Sequence, residues 1–503
     1  MKRINSYILT GGVIILGLCG CTSNFDDYNK DPNRAEVGKA NSSQMLEDLI
    51  FEGAGSMKYR TWRHNNEFMQ YTVETSTLNQ LHRFVLTDSE FKGAWNFCGR
   101  WAVNAIEMYK LAEKEENTNA QAIALTMKAL YLSNMTDLFG DMPFKEAFKG
   151  IDENIMQPKF DDQKVIYDSL LMDLERANTL YTKTSTIDAK RDLLYNGDVT
   201  KWRKFTNSLY LRLLMRVSNR RDMNSAERIK TVFENPSQYP IFESNDDNAT
   251  FYYDEVNPFV NYFGNILESA FTTTGRRPAE QIIGMMDAPG DPRISIWFKQ
   301  ASGYDGWKGA ESGKEAQESD NSGVSLLNKA NLGDYASPYS HMKYDEVLFI
   351  FAEAIKRGWI DGGDALAEQY YNDAVRASIR FWSDVNKTGN PVSESTVERF
   401  LANIPYDGTL ESILDQKYVA LFWTGFEAWH EYRRTGYPAL VIGEGTQNDH
   451  VLPTRMAYPT IAIKTNPDNY AAEVARLQSV FRGADDMKTP VWWSAEAVRK
   501  GIE

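Results

Sequence analysis

A 3.6-residue apolar period recurs along much of the chain and constrains its fold more than any other feature. Between residues 120 and 139, apolar side chains recur at i, i+4, i+7 and i+8 and predict one helix face: Ile123, Met127, Leu130 and Tyr131. Similar patterns predict helices over 201–217, 342–359 and about 411–434. No convincing series of alternating strands accompanies them, apart from a short candidate at 251–253. The sequence therefore predicts an all-α fold.

The helix that follows Gly362 has a spacing typical of tetratricopeptide hairpins. Ala367, Tyr371 and Ala374 are four and three residues apart, which is the small-aromatic-small register of the second helix of such a hairpin. The register of the first helix is missing. We interpret the helices as degenerate pairs that form a scaffold, rather than as a regular array.

The N-terminus has the pattern of a bacterial lipoprotein signal. Lys2 and Arg3 precede an uncharged apolar run that is too short to span a bilayer, which needs about 20 apolar residues. The run ends in Leu18-Cys19-Gly20-Cys21, the order of a lipobox. We predict a signal peptide over 1–20, a lipid on Cys21, a tether over 21–40 and one binding domain over 41–503. The alternative is an ordinary cleaved signal peptide with a coincidental cysteine.

The charge and the cysteine and histidine content exclude several functions. A formal net charge of -14 disfavours nucleic acid, which is bound by clustered basic faces. With Cys19 removed and Cys21 lipidated, Cys98 has no partner for an internal disulfide. The five histidines lie too far apart for a local metal signature. We predict no nucleic-acid partner, no cofactor and no metal site.

Charged residues on the predicted helices are interpreted as structural. Arg212, Arg216 and Arg220 recur every four residues, and their mutual repulsion indicates pairing with carboxylates or solvation rather than a ligand site. A surface glycoside hydrolase would need two carboxylates about 5–10 Å apart. Glu427 is the most tempting candidate, but the neighbouring arginines 433 and 434 predict a structural ion pair. We predict no catalytic residue, and the chain has neither a G-x-S-x-G elbow nor a phosphate-binding loop.

Several motifs, taken in order, resemble the SusD/RagB family of Bacteroidetes lipoproteins, and within it the SusD-like 2 branch. An acidic start rich in Asn and Pro follows Cys21, and further matching segments extend to the C-terminus. These segments are Asp137-Leu138-Phe139-Gly140-Asp141-Met142-Pro143, Lys201-Trp202, Asp291-Pro292-Arg293, Phe426-Glu427-Ala428-Trp429, Arg433-Arg434-Thr435-Gly436-Tyr437-Pro438 and Val491-Trp492-Trp493.

The resemblance implies a fold, a location and a partner. It implies a tetratricopeptide-like scaffold with an irregular helix-and-loop half that carries the ligand face. It also implies an outer-membrane lipoprotein that faces the cell exterior and delivers an oligosaccharide or polysaccharide to a SusC-like TonB-dependent transporter. RagB-like relatives serve peptide uptake, so a peptide ligand stays open as an alternative.

Aromatic and polar residues in irregular segments are the candidates for this ligand face. Sugar binding requires flat aromatic faces and a few placed polar groups, and the long Gly-rich and Ser-rich excursion over 299–341 is of the length that loops with a function often have. We predict that the face combines the segment 62–95 with the segment 297–307. Its residues are Trp62, Gln70, Tyr71, Asn79, Arg83, Trp95, Tyr304, Asp305 and Trp307. Core packing is the alternative for each aromatic, and the next candidate cluster is Tyr252, Tyr253, Phe259, Tyr262 and Phe263.

Overall fold

The structure is a computed structural model that describes residues 41–75, 80–150, 153–315 and 319–502. The predicted signal peptide, the tether with Cys21, and Asn79 lie outside the described residues.

Helices dominate the described residues, as the apolar period predicts. We number them α1 to α18 in chain order: Ser42–Arg60, Asn66–Phe68, Asp88–Lys114, Thr118–Phe139, Gln163–Leu180, Val199–Arg216, Ser225–Glu234, Glu280–Asp287, Ile294–Trp297, Lys329–Leu332, Tyr344–Lys356, Gly363–Asp384, Glu394–Asn403, Leu410–Ala420, Glu427–Thr435, Thr460–Thr465, Pro467–Ser479 and Ala495–Arg499. Two π-helical turns cover Thr61–Asn65 and Ser269–Thr273.

Among the described residues, the strands are short and pair only in twos. They are β1 to β8, at Thr72–Glu74, Met142–Pro143, Phe160–Asp161, Ala249–Phe251, Arg276–Pro278, Phe298–Lys299, Leu326–Leu327 and Tyr339–Met342. All four pairings are antiparallel: β1 with β5, β2 with β3, β4 with β8, and β6 with β7. The strand predicted at 251–253 lies at 249–251 as β4.

Antiparallel helix neighbours form the scaffold. Helix α3 packs on α4, α4 on α5, α5 on α6, and α11 on α12, while α1 packs against α3. Helix α4 lies at the centre, because almost every residue from Asn119 to Phe139 is buried. Both ends of this helix are determined by neighbouring residues. Asn117 caps the first turn by accepting from the Ala120 amide at 3.1 Å, and Gly140 ends the helix with a φ of 81°. The predicted all-α scaffold of tetratricopeptide-like pairs is confirmed.

The helix predicted over about 411–434 is two helices, α14 and α15. The chain between them passes through a left-handed Trp423, with a φ of 68°, and a left-handed Gly425. The break lets Phe422 and Trp423 turn into the core, where Phe422 packs against Trp297 with ring centroids 4.4 Å apart. Tertiary packing therefore overrides the helical period at this point.

Two of the three arginines at every fourth position, Arg212 and Arg216, pair with carboxylates as predicted, whereas Arg220 is buried and donates to the Trp492 carbonyl at 2.8 Å. Arg212 pairs with Glu346 at 2.5 Å, and Arg216 pairs with Asp137 at 2.8 Å and also with Glu427. All of these side chains are buried. The ion pair expected for Glu427 is present, but its partners are these arginines of α6 rather than Arg433 and Arg434. Buried pairing of this kind gives Glu427 a structural role.

Cys98 is a free, buried thiol on α3, and burial raises its pKa to about 12.

Among the described helices, none combines the length and the apolar character needed to cross a membrane.

Candidate functional site: an aromatic cleft beside helix α1

A cavity of about 510 Å³ opens beside α1, and we call it the aromatic cleft. Its lining is rich in aromatic side chains and includes a few polar groups. The lining residues are Phe51, Glu52, Gly55, Ser56, Tyr59, Arg60, Phe97, Tyr253, Val260 and Tyr262. A cavity of this size and composition is typical of small-ligand sites.

The floor of the aromatic cleft is one face of α1. Phe51, Gly55 and Tyr59 are four residues apart and therefore lie along one side of the helix. The opposite side of α1, which includes Leu46 and Leu49, is fully buried and fixes the helix in the core. Asn41 and Gln44 form a capping box at its first turn, so the helix is held at its start as well as along its buried side.

Aromatic rings form the walls. Phe51 meets Phe259 edge-on with ring centroids 5.2 Å apart, and Tyr59 meets Tyr262 edge-on at 6.0 Å. Tyr262 is 58% exposed, so one of its faces is open to solvent. An open aromatic face at the rim of a cavity is the feature on which a sugar ring can stack.

Tyr253 lies deeper, opposite Gly55. A Cβ atom at Gly55 would lie 3.5 Å from the Tyr253 hydroxyl oxygen, an ordinary contact distance, which places this hydroxyl against α1. The hydroxyl is buried and has no hydrogen-bond partner among the described residues. Burial raises the pKa of Tyr253, which keeps its hydroxyl protonated. A buried, unpaired hydroxyl is unfavourable unless a water or a ligand pairs with it.

Arg60 occupies one end of the aromatic cleft. It is the last residue of α1, immediately before the π-helical turn Thr61–Asn65, and such turns are frequent at functional sites. Its guanidinium carbon lies 5.6 Å from the Tyr59 ring centroid. The group is half-buried, and burial lowers its pKa from the ordinary arginine value.

Two of the sequence-predicted ligand residues are packed into the core, which corrects the expectation that they offer open rings. The Trp62 ring is covered by the Arg276 guanidinium, whose carbon is 3.6 Å from the ring centroid. The Tyr71 ring is fully buried and stacks on Tyr418 at 4.4 Å. In both cases a residue more than 200 positions away in the sequence occupies the aromatic face.

Gln70 and Arg83 both contact the loop at residues 441–445. The Gln70 amide donates to the Val441 carbonyl at 2.7 Å, and Arg83 donates to the Gly445 carbonyl at 2.6 Å. Arg83 also pairs with Glu315 at 2.7 Å. Gln70 has a φ of 53° and lines a second cavity of about 430 Å³. Gln70 is the one predicted ligand residue in the lining of this second cavity.

The remaining predicted residues are divided between two regions. Tyr304 is 53% exposed and Asp305 is also exposed, while Trp307 is half-buried against the core. Trp95 instead packs edge-on against Phe139 at 5.0 Å, at the end of α4. The described residues therefore leave the 304–307 loop available to a ligand and give Trp95 a largely structural environment.

The second predicted cluster contributes directly to the aromatic cleft. Tyr253 and Tyr262 line it, and Phe259 packs against its wall. The α1 residues were not singled out by the sequence analysis. The sequence signal that could have found them is a pair of adjacent helix rows in which residues recur every four positions. One row contains Phe51 and Tyr59, and the next contains Ser56 and Arg60.

Within the described ranges, no group of three or more His, Cys, Asp or Glu side chains is arranged to hold a metal ion.

The fold and the cleft together define a helical ligand-binding protein, and comparison with known proteins identifies its family. The chain belongs to the SusD-like 2 family, described as starch-binding and associating with the outer membrane, whose model matches residues 32–459. The predicted resemblance is confirmed. Members of this family are binding proteins rather than enzymes, and so is this chain.

Solved structures support the same assignment. A chitin-binding protein is 26% identical with a TM-score of 0.77, and the match covers 90% of this chain and 100% of the other. A SusD homologue from Bacteroides fragilis is 25% identical with the same TM-score and the same coverage. A SusD homologue from Bacteroides thetaiotaomicron, 23% identical with a TM-score of 0.71 over 92% of this chain and 99% of that one, shares the fold. Among curated proteins, no match was found.

Proposed function

We propose that this protein is a cell-surface lipoprotein that binds an oligosaccharide in the aromatic cleft and delivers it to a SusC-like TonB-dependent transporter. The observation that carries the proposal is the cleft itself, in which exposed and half-buried aromatic rings surround a few polar groups. The chitin-binding relative supports a carbohydrate ligand. The family's association with the outer membrane supports the location.

The second cavity and the 304–307 loop are further candidate surfaces for the same ligand. Gln70 lines the second cavity, and the loop presents the exposed residues Tyr304 and Asp305. A polysaccharide longer than one cavity would contact more than one such surface. We therefore treat the aromatic cleft as the primary site and the loop as the alternative to be tested beside it.

Tyr262→Ala is expected to weaken oligosaccharide binding several-fold, because an aromatic contact contributes about 0.5–1.5 kcal/mol beyond the buried area. The melting temperature should stay nearly unchanged, since the ring is 58% exposed. Binding is measured by calorimetry with a glycan first identified on an array that also carries peptides.

Tyr304→Ala is the matched variant, because Tyr304 is exposed to a similar degree, at 53%. Loss of affinity in Tyr304→Ala alone would transfer the site to the 304–307 loop. Peptide hits with no glycan hits would replace the carbohydrate ligand with a peptide and overturn the proposal.

The transporter partnership predicts that a SusC-like protein co-purifies with the lipoprotein from native membranes after gentle detergent extraction. A lid that opens to admit ligand and closes to present it requires an extensive but hinged contact. The complex is detected by size-exclusion chromatography and mass spectrometry of the eluted band. Recovery of the lipoprotein alone, with the transporter demonstrably expressed in the same cells, would contradict this part of the proposal.

A further inference from the structure

Arg60 brings a positive charge to the aromatic cleft without an ion-pair partner among the described residues. Most partly buried arginines of the described residues are paired with carboxylates, as Arg63 and Arg476 are. A half-buried guanidinium that lacks such a partner loses hydration without gaining an opposite charge. Its position at a ligand cavity therefore calls for an explanation.

The carboxylate of the neighbouring helix that acts electrostatically on Arg60 is Glu90, and it is already engaged by other groups. Glu90 accepts from Arg63 at 2.5 Å and contacts the His64 ring nitrogen Nε2 at 2.6 Å. These contacts use both carboxylate oxygens, and the hydrogen bonds from His64 and Arg63, with the Arg63 charge, hold the pKa of Glu90 well below its ordinary value in spite of burial. Glu90 is therefore ionised and paired with Arg63 rather than with Arg60.

The Arg60 guanidinium lies against α3. Gly93 allows this close approach, since a Cβ atom there would lie 2.6 Å from Nη2 and 2.9 Å from Nη1. The Tyr59 ring lies within cation-π distance, at 5.6 Å. A guanidinium at a cleft that has no ion-pair partner is suited to pair with an anionic group of a ligand.

The acidic residue at the cleft lies at its other end. Glu52 precedes Arg60 by eight residues on α1, which corresponds to about 12 Å along the helix axis. Glu52 is exposed, and at physiological ionic strength charges more than about 8 Å apart are largely screened. An anion bound at Arg60 would therefore experience little repulsion from Glu52.

We propose that the aromatic cleft selects glycans that carry a negatively charged group, a carboxylate or a sulfate on a sugar ring, and that Arg60 pairs with this group. The inference rests on the proposed function and specifies its ligand class. The rings of Tyr59 and Tyr262 would contact the sugar, while the Arg60 guanidinium would donate two parallel hydrogen bonds to the anionic group. A neutral sugar in the same position would leave the positive charge unpaired.

The test uses the mature protein and oligosaccharides in matched pairs. One set consists of uronic-acid oligosaccharides and the same compounds after carboxyl reduction, and the other of sulfated oligosaccharides and their desulfated forms. We expect the charged member of at least one pair to bind about tenfold or more tightly than its neutral counterpart. This preference should weaken as salt is raised.

Arg60→Gln should bring the ratio between charged and neutral members close to one without changing the melting temperature, and Arg60→Lys should retain part of the ratio. Arg100→Gln is the charge-matched control, because Arg100 is an exposed arginine on α3 outside the cleft lining. Equal binding of charged and neutral members, or a ratio that Arg60→Gln leaves intact, would overturn the inference. Equal binding of charged and neutral members that Tyr262→Ala still weakens would refute only the inference, whereas no glycan binding at all would refute the proposed function.

Discussion

Arg216→Met is expected to lower the free energy of unfolding by about 3–5 kcal/mol, the usual cost of breaking a buried ion pair by removing one partner. The guanidinium of Arg216 lies between the carboxylates of Asp137 and Glu427, and all three side chains are buried. The methionine would leave two buried carboxylates without their shared cation. Urea unfolding followed by circular dichroism measures the difference.

Arg380→Met is the matched control for this measurement. Arg380 pairs with Glu394 at 2.9 Å, but both side chains are more than half exposed. Exposed pairs contribute about 0–1 kcal/mol, so this variant should unfold close to the wild type. Equal losses in the two variants would show that the buried network does not have the energetic role assigned to it.

The loss of unfolding free energy in Arg216→Met should also depend on pH. Burial raises the pKa values of Asp137 and Glu427 in the folded protein, and removing Arg216 would raise them further. A carboxyl group whose folded pKa exceeds its unfolded value stabilises the protein at low pH, and this contribution is lost as pH rises through the folded pKa. The difference between variant and wild type should therefore be larger at about pH 8 than at about pH 5.

The helices were predictable where their signals are local. The apolar rows of α4 and α6 are each readable within about twenty residues of sequence, and both helices are present in the structure, where Asn117 and Asp198 cap their first turns. The break between α14 and α15 was not predictable in this way. It depends on Phe422 packing against Trp297, a contact between residues 125 positions apart that no local pattern encodes.

The candidate site was harder to predict for the same reason. Trp62 and Tyr71 have the composition expected of ligand contacts, but Arg276 and Tyr418 cover their rings from distant parts of the chain. Helix α1 has apolar residues on both its core side and its cleft side, so its period alone does not show which side remains open. The cluster at 252–263 was identified from its aromatic content, yet its position opposite α1 required the fold.

Cys21→Ala is expected to release the protein from the outer membrane almost completely. The lipobox places Cys21 at the new N-terminus, where lipidation would add three acyl chains, and each buried methylene contributes about 0.8 kcal/mol to membrane binding. Two chains already anchor a protein stably, so loss of all of them should shift the protein from the membrane fraction to the soluble fraction. Fractionation and immunoblotting measure the shift, and protease treatment of intact cells measures surface exposure.

Cys19→Ala is the control that distinguishes lipidation from a general effect of changing the signal peptide. Cys19 lies two residues earlier in the same run and follows the large Leu18, where a lipobox requires a small residue. This variant should therefore remain anchored and accessible to protease on intact cells. If Cys21→Ala stayed membrane-bound at the surface while Cys19→Ala was released, the lipid would be on Cys19. If both stayed bound, a contact other than a lipid would have to hold the protein at the membrane, and the SusC-like transporter would be the first partner to test by deletion.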